Sequence, residues 1–125
     1  MIIAVDFDGT LHDGEWPAIG SPASHAIEVM RKLKQDGHFL IIWTCREGKY
    51  GDDMVEWLAK WAIPYDAINE HNFVQLEKFQ CYESRKVYAD VYIDDKNLGG
   101  LPSWRDIYDI VSGKVKPYFI YKLLK

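Results

Sequence analysis

Short apolar runs, separated by polar and helical segments, give this chain its pattern. Residues 2–5 are apolar on both faces and rich in β-branched side chains, which predicts a buried strand. Runs of the same character predict three more strands, over 39–43, 65–68 and 87–93. Residues 115–121 predict a fifth strand at a sheet edge, where Pro117 would be tolerated.

Helical periodicity fills the intervals between these runs. The predicted helices cover residues 21–37, about 52–62, about 73–79 and 103–113. Ser21 is the expected N-cap of the first helix and Gly37 its closing residue. A glycine-rich loop over 48–51 precedes the second helix, and Ser103 and Gly113 mark the two ends of the last one.

The order of these elements predicts the class of fold. Strands that alternate with helices form a parallel sheet with helices on both of its faces. We therefore expect an α/β fold, a three-layer sandwich with a mainly parallel, Rossmann-like sheet. The first strand should lie at its centre, with the second and third strands on one side and the fourth and fifth on the other.

Size, composition and charge limit the classes of protein to which the chain can belong. Its 125 residues predict a single domain, and 48% hydrophobic residues exclude a disordered chain. A net charge of −4 gives no basic footprint, which argues against a nucleic-acid partner. No disulfide framework, signal-peptide pattern or apolar stretch of roughly 20 residues is seen. We therefore expect a cytoplasmic protein without a membrane partner.

Polar side chains follow three of the predicted strands at the point where each strand ends. They are Asp6 and Asp8, Thr44, and Asp94 with Asp95. Lys86 lies just ahead of the fourth strand. Because parallel strands bring their carboxyl ends to one edge of a sheet, we expect these groups to converge.

Asp6 and Asp8 are the most informative of these residues. Alternation along an extended segment would point both carboxylates the same way and turn Phe7 into the core. Two like charges held close together need a divalent cation, a shared proton or both. Gly9 allows a sharp turn and a close approach of the backbone. An ordinary Asp- and Gly-rich turn is the alternative interpretation.

The residue types fit phosphoryl transfer. A carboxylate can attack phosphorus and carry it as an aspartyl-phosphate, which divides one difficult step into two. A hydroxyl and an ammonium group can bind the phosphoryl oxygens. Mg²⁺ prefers carboxylate oxygens and retained waters, so it suits an acidic cluster of this kind.

The sequence Asp-Phe-Asp-Gly-Thr over 6–10, directly after a buried strand, resembles motif I of the haloacid dehalogenase (HAD) superfamily. The resemblance extends in order through all four motifs to residue 95. It implies a HAD-like fold and a Mg²⁺-dependent phosphatase. Asp6 matches the nucleophile, and Asp8 matches the general acid/base.

The other motifs match the remaining strand ends. Thr44 matches the hydroxyl and Lys86 the lysine that bind the phosphoryl group, although Arg85 competes with Lys86 for that role. Asp94 and Asp95 match the acidic pair of motif IV. The resemblance implies that this pair holds Mg²⁺ with Asp6 and the backbone carbonyl of Asp8, and Asp95 is the better match to the direct ligand.

HAD members commonly carry a cap domain, and this chain has little room for one. Only the loop 11–20 follows motif I, and a helix, a strand and a linker occupy most of 47–85. The resemblance therefore implies a capless member. Such proteins act on a phosphorylated substrate that covers the open site, or form a homo-oligomer in which a neighbouring subunit covers it.

Several residues near the motifs have two interpretations. Arg46 could bind a second anionic group of the substrate, or it could form a salt bridge beside a helix. Lys49, Tyr50 and His12 could also line the site. Cys45 is expected to be a small packing residue, since no paired base is visible.

These observations predict hydrolysis of a phosphomonoester, with Asp6 as the covalent carrier. Two alternatives stay open: a phospho-accepting receiver-like signalling module, and a HAD-like binding protein without catalysis. A receiver carries its acceptor Asp at the end of the third strand, whereas this chain has Asn69 and Glu70 there. Release of many equivalents of phosphate would distinguish an enzyme from a receiver.

Overall fold

A parallel sheet of four strands forms the centre of the computed structural model, which describes residues 1–72, 74, 77 and 84–114. The strands are β1 Ile2–Asp6, β2 Phe39–Trp43, β3 Ala67–Ile68 and β4 Val91–Ile93. Their spatial order is β3-β2-β1-β4, and every pair is parallel. The predicted α/β fold with a central first strand is confirmed. The predicted strand over 115–121 and most of the helix over 73–79 lie outside the described residues.

The register of β1 determines which strand ends meet. On one side, Ile2 pairs with Phe39, and on the other, Val5 pairs with Ile93. Because Val5 and Ile93 are level, the next residues, Asp6 and Asp94, follow side by side at the same edge of the sheet.

Within the described residues, three helices pack with the sheet: α1 Ala26–Gln35, α2 Gly48–Lys60 and α3 Trp104–Val111. All three contribute buried side chains to one core cluster, which also contains Ile3 and Val5 of β1. The alternate residues of β1 face the other way and pack with Val87 and Ala89. Apolar layers therefore cover both faces of the sheet, as strands buried on both sides require.

Helix α1 begins at Ala26, so the prediction that Ser21 caps it is wrong. The chain before the helix pairs with the loop after β1 instead. The backbone N–H of Ala23 donates to the carbonyl of Leu11 at 2.8 Å, and Pro22 forms a bridge with His12. The predicted end is confirmed, because Gly37 follows the helix with a φ of 90°.

Helix α2 begins at Gly48, four residues before the predicted start at 52. The glycine-rich segment 48–51 is therefore its first turn, and the N–H of Gly51 donates to the carbonyl of Glu47. Tertiary context overrides the low helix propensity of glycine here. The buried side of the helix carries Met54, Trp57 and Leu58, as the periodicity predicts.

Strand β4 begins at Val91, so the prediction of a strand from 87 is too long. In the residues before Val91, hydrogen bonds that involve side chains replace the regular pairing of a strand. The N–H of Ile2 donates to the Asp90 carboxylate at 2.7 Å, and the Tyr92 hydroxyl donates to the carbonyl of Val87 at 2.6 Å. Strand β3 is also shorter than predicted, since the Asp66 carboxylate accepts the N–H of Leu40.

Helix α3 has the predicted ends. The Ser103 hydroxyl accepts the backbone N–H of Asp106 at 3.1 Å, and Gly113 follows the helix with a φ of 80°. Among the described residues, no helix is long and apolar enough to cross a membrane.

Candidate active site

Three carboxylates meet at the carboxyl ends of β1 and β4. Asp6, Asp94 and Asp95 each offer an oxygen, and these oxygens all lie within 4.8 Å of one another. The register of β1 and β4 causes this convergence, which the sequence predicts for these three residues. Oxygen ligands at this separation could hold a metal ion.

Thr10 joins the two loops that carry the cluster. Its hydroxyl lies 3.0 Å from Asp6 Oδ2, to which it donates, and accepts the backbone N–H of Asp95 at 3.1 Å. The side chain is buried, and its carbonyl accepts the indole N–H of Trp104 at 3.0 Å. Trp104 of helix α3 therefore helps to hold the loop after β1 in position.

Gly9 lets the two loops come this close. Its φ is +83°, and a Cβ atom at this position would lie 2.3 Å from Asp95 Oδ2. Any larger residue would displace the Asp95 carboxylate or the loop. The expected close approach of the backbone at Gly9 is thus confirmed, with Asp95 as its neighbour.

The cluster carries excess negative charge. Burial, the hydrogen bond with Asp95 and the negative charge of Asp94 together raise the pKa of Asp6 to about 7, although the hydrogen bond from the Thr10 hydroxyl acts in the opposite direction. Repulsion between ionised carboxylates is relieved by a shared proton or by a cation. The cluster could therefore hold either a shared proton or a cation.

Asp8 lies in different surroundings. Arg46 binds its carboxylate with two hydrogen bonds, from Nε to Oδ2 at 2.8 Å and from Nη2 to Oδ1 at 2.7 Å. The His12 ring contacts Oδ1 at 2.8 Å. Burial would raise the pKa of Asp8, but the hydrogen bonds from Arg46 and His12 outweigh it and hold the pKa below its usual value. Phe7, between the two aspartates, is buried in the core as predicted.

Arg46 is a buried partner of Asp8. Its guanidinium also donates to the carbonyls of Pro17 at 3.1 Å and Tyr50 at 3.4 Å. The Cζ atom lies 4.6 Å from the centroid of the Trp16 ring and 5.3 Å from that of Phe7. Of the two interpretations of Arg46, the structure shows the salt bridge, which Arg46 forms with Asp8. Its binding of a substrate anion stays a prediction.

His12 is fully buried beside this pair, and sequence reasoning left its role open. The only signal in the sequence is its position four residues after Asp8. The contact depends on how the loop after β1 folds back, which periodicity does not report.

Thr44 directly follows β2, as predicted. Its hydroxyl accepts the backbone N–H of Arg46 at 3.0 Å. Its own N–H donates to the side-chain oxygen of Asn69 at 2.8 Å, and the Asn69 amide donates back to the Thr44 carbonyl at 2.7 Å. Thr44 therefore satisfies the end of its strand, and its contact with a phosphoryl group stays a prediction.

The described structure does not bring Lys86 to the acidic cluster. Its side chain is exposed, and Nζ lies 5.1 Å from the centroid of the Tyr92 ring. Lys96 has Nζ 4.0 Å from Asp95 Oδ2, with its side chain 88% exposed. Sequence reasoning missed Lys96, although its place directly after the acidic pair was a signal.

The fold and the site define an α/β protein with an acidic cluster at the carboxyl edge of a parallel sheet. No protein-family model matches the chain, and a search of curated proteins finds no match. Among solved structures, the chain is similar to a conserved protein coded by a locus of Bacteroides thetaiotaomicron. The two are 40% identical over 93% of each chain, with a TM-score of 0.81. The chain belongs to the same family as that conserved protein.

Proposed function

We propose that this protein is a Mg²⁺-dependent phosphatase of the HAD type, which hydrolyses a phosphomonoester through an aspartyl-phosphate on Asp6. The observation that carries this proposal is that Asp6, the last residue of β1, and Asp8, two residues later, have separate surroundings. Asp6 belongs to the acidic cluster, whereas Asp8 is held by Arg46 and His12. A cation in the cluster would keep Asp6 ionised, as a nucleophile must be, whereas Asp8 lies outside the cluster and can change its protonation state without the loss of a side-chain metal ligand.

The acidic cluster supplies the residues that would hold the metal. Asp6, Asp94 and Asp95 offer only carboxylate oxygens, which suits Mg²⁺ better than a softer ion. Bound there, Mg²⁺ would neutralise charge between the carboxylates and the phosphoryl oxygens. The backbone carbonyl of Asp8 remains the further ligand that the HAD resemblance implies.

Asp6 and Asp8 would divide the chemistry between them. A carboxylate oxygen of Asp6 forms a bond to phosphorus while the bond from phosphorus to the ester oxygen breaks. The negative phosphoryl group of a bound substrate would raise the lowered pKa of Asp8, so that Asp8 takes up a proton from solution and gives it to the ester oxygen. Asp8 then takes a proton from water, whose oxygen attacks phosphorus and releases inorganic phosphate from Asp6. Asp6 is restored as a carboxylate, and Asp8 returns to the protonated form in which it began the reaction.

The phosphoryl oxygens need donors during both steps. The Thr44 hydroxyl and the Lys86 ammonium are the donors that the HAD resemblance implies. Lys96 is a second candidate for the cation, supported by its distance of 4.0 Å from Asp95. A comparison of Lys86→Met with Lys96→Met would show which lysine binds the phosphoryl oxygens: it is the one whose replacement lowers kcat more.

The substrate is proposed to be a phosphorylated molecule that reaches an open site. Loop residues 11–20 leave no room for a cap after motif I, so a large substrate or a neighbouring subunit would cover the cluster. Trp16 and Tyr50 are exposed beside Arg46, with ring centroids 5.0 Å apart. A contact of Tyr50 with substrate remains a prediction.

Phosphate release from a panel of phosphate esters, with and without Mg²⁺, tests this function. We expect multiple turnovers in the parent, almost none in Asp6→Asn, and a loss of about 10²–10⁴ in rate in Asp8→Asn. Asp52→Asn is the matched control, since Asp52 is an exposed carboxylate on α2. Full activity in Asp6→Asn would refute the mechanism, and release of a single equivalent would favour a receiver-like module.

A further inference from the structure

The buried network around Asp8 assigns a role to His12 that the proposed reaction does not by itself require. We infer that His12 is a positioning residue: it fixes the Asp8 carboxylate so that Oδ2 is the oxygen that gives and takes protons. This inference rests on the proposed function, because it concerns the acid/base residue of that reaction.

The hydrogen bonds of the imidazole determine its tautomer. Nδ1 accepts two backbone N–H groups, from Gly14 at 3.0 Å and from Gly20 at 3.1 Å. A ring nitrogen that accepts hydrogen bonds carries a lone pair, so the proton of the neutral ring is on Nε2. Nε2 therefore donates to Asp8 Oδ1, which lies 2.8 Å away.

The two backbone segments that donate to His12 Nδ1 are tightly packed against each other. A Cβ atom on Gly14 would lie 2.4 Å from the backbone nitrogen of Gly20. Only a pair of glycines therefore allows both N–H groups to reach Nδ1. The indole of Trp57 donates to the carbonyl of Gly20 at 3.0 Å, which ties this loop to helix α2.

The ring itself has little freedom to move. His12 has no exposed surface, and its centroid lies 4.7 Å from that of Phe7 and 6.0 Å from that of Trp57. Packing and hydrogen bonds together fix both the plane of the ring and the direction of Nε2–H. The position of Asp8 Oδ1 is fixed in turn.

The two oxygens of Asp8 are consequently different. Oδ1 accepts from His12 Nε2 and from Arg46 Nη2, whereas Arg46 Nε is the one donor to Oδ2 in the part of the chain that the structure describes. The Asp8 side chain keeps 31% of its surface exposed. Oδ2 therefore has the remaining acceptor capacity, and it is the atom that exchanges a proton with the leaving oxygen and with water.

Two amide variants separate the two ends of the ring. In His12→Gln the amide nitrogen can take the place of Nε2 and donate to Asp8, but the acceptor for the loop is lost. In His12→Asn the amide oxygen can take the place of Nδ1 and accept from Gly14 and Gly20, but the donor to Asp8 is lost. The pair therefore distinguishes positioning of Asp8 from support of the loop.

The test measures kcat, KM and melting temperature for both variants with Mg²⁺ and a phosphate ester that the parent hydrolyses. Loss of a hydrogen-bond partner that orients a metal ligand typically costs about 10–100-fold in activity, and we expect an effect of the same order for the partner that orients Asp8. We expect a kcat loss of that order in His12→Asn with KM nearly unchanged, and a smaller loss in His12→Gln even where it melts at the lower temperature. The inference is overturned if His12→Asn keeps parental kcat, or if both variants lose kcat equally while folded.

A second measurement does not depend on activity or on the folding of a variant. Nitrogen-15 chemical shifts of the His12 imidazole in the parent at neutral pH should show a proton on Nε2 and a lone pair on Nδ1. A ring protonated on Nδ1 overturns the inference. A parent with this tautomer that hydrolyses no phosphate ester refutes the proposed function and, with it, the positioning role in that reaction. A parent that turns over while the variants behave alike refutes only the role of His12.

Discussion

At the scale of single residues, the two aspartates at the carboxyl end of β1 have neighbours of opposite charge. Asp6 is next to two further carboxylates, and Asp8 is next to the guanidinium of Arg46. The pKa of Asp6 is therefore raised and that of Asp8 lowered. Each shift makes a prediction about stability or charge pairing.

The raised pKa of Asp6 predicts how the metal-free protein responds to pH. In the folded state the pKa is about 7, compared with an ordinary value of 3.8. The stability that Asp6 contributes is fully present below the ordinary value, where the carboxyl is protonated in both states, and is lost as pH rises towards the folded value. In EDTA, the melting temperature of the parent should therefore fall relative to Asp6→Asn between about pH 4 and pH 7.

The difference in melting temperature between the parent and Asp6→Asn removes the contribution that the other carboxylates make to the pH dependence. Saturating Mg²⁺ should flatten the difference, because the cation replaces the proton. A difference that stays constant from pH 4 to pH 7 in EDTA would contradict the described cluster.

The Asp8–Arg46 pair predicts a loss of stability when its cation is removed. Arg46→Met leaves a partly buried carboxylate without its bidentate partner, which should lower the free energy of unfolding by about 2–3 kcal/mol. Lys49→Met is the matched control, since Lys49 is exposed at the start of α2. Urea unfolding measures both, and equal stability of the two variants would contradict the contact.

The two halves of the site differ in how far the sequence predicts them. Asp6, Asp94 and Asp95 end neighbouring parallel strands, so strand order alone brings them together. The contact of Asp8 with His12 and Arg46 depends instead on how the loop over 12–20 folds back. Hydrophobic periodicity does not predict the path of this loop. The alternation of side chains correctly places Phe7 in the core, but it does not indicate which residues contact Asp8.

At the scale of elements, the approach of the loops after β1 and β4 depends on Gly9. Gly9→Ala adds a Cβ atom 2.3 Å from Asp95 Oδ2 and places alanine at a φ of +83°. Gly37→Ala is a matched control, because Gly37 has a φ of +90° but none of the described residues lies within 4 Å of the added atom. Both variants should lose about 1–2 kcal/mol from the left-handed backbone conformation.

Only Gly9→Ala should also weaken the metal site. We expect its melting temperature to respond less to Mg²⁺ than that of Gly37→Ala, because the Asp95 carboxylate is displaced. The same response to Mg²⁺ in the two variants would show that the approach at Gly9 does not matter for the cluster.

The observed ends of the helices and strands show which boundaries the sequence predicts and which it does not. The apolar runs located four strands, and Ser103 and the closing glycines located helix ends, because these signals are local. The starts of α1, α2 and β4 were missed for a physical reason. Ala23 pairs through its backbone with Leu11, and the Asp90 carboxylate accepts the N–H of Ile2. These tertiary contacts override the local preference of the sequence for a helix before Ala26 and for a strand before Val91.

At the scale of the whole molecule, the acidic cluster should couple metal binding to folding. Mg²⁺ binds the folded cluster, so it should stabilise the protein by mass action, on the order of 1–3 kcal/mol at saturation. Asp95→Ala should remove this dependence and, by relieving repulsion, leave the metal-free protein about as stable as the parent. Melting curves in Mg²⁺ and in EDTA measure both effects. A parent that is insensitive to Mg²⁺ would contradict the proposed site.

The central claim is that Asp6 carries the phosphoryl group. Borohydride reduces an acyl phosphate to an alcohol, so an aspartyl-phosphate trapped by rapid quenching during turnover becomes homoserine, which peptide mass spectrometry locates. We predict homoserine at position 6, only when substrate and Mg²⁺ are both present, and an unmodified Asp8. Turnover without reduction at position 6, or reduction at another aspartate, would contradict the account.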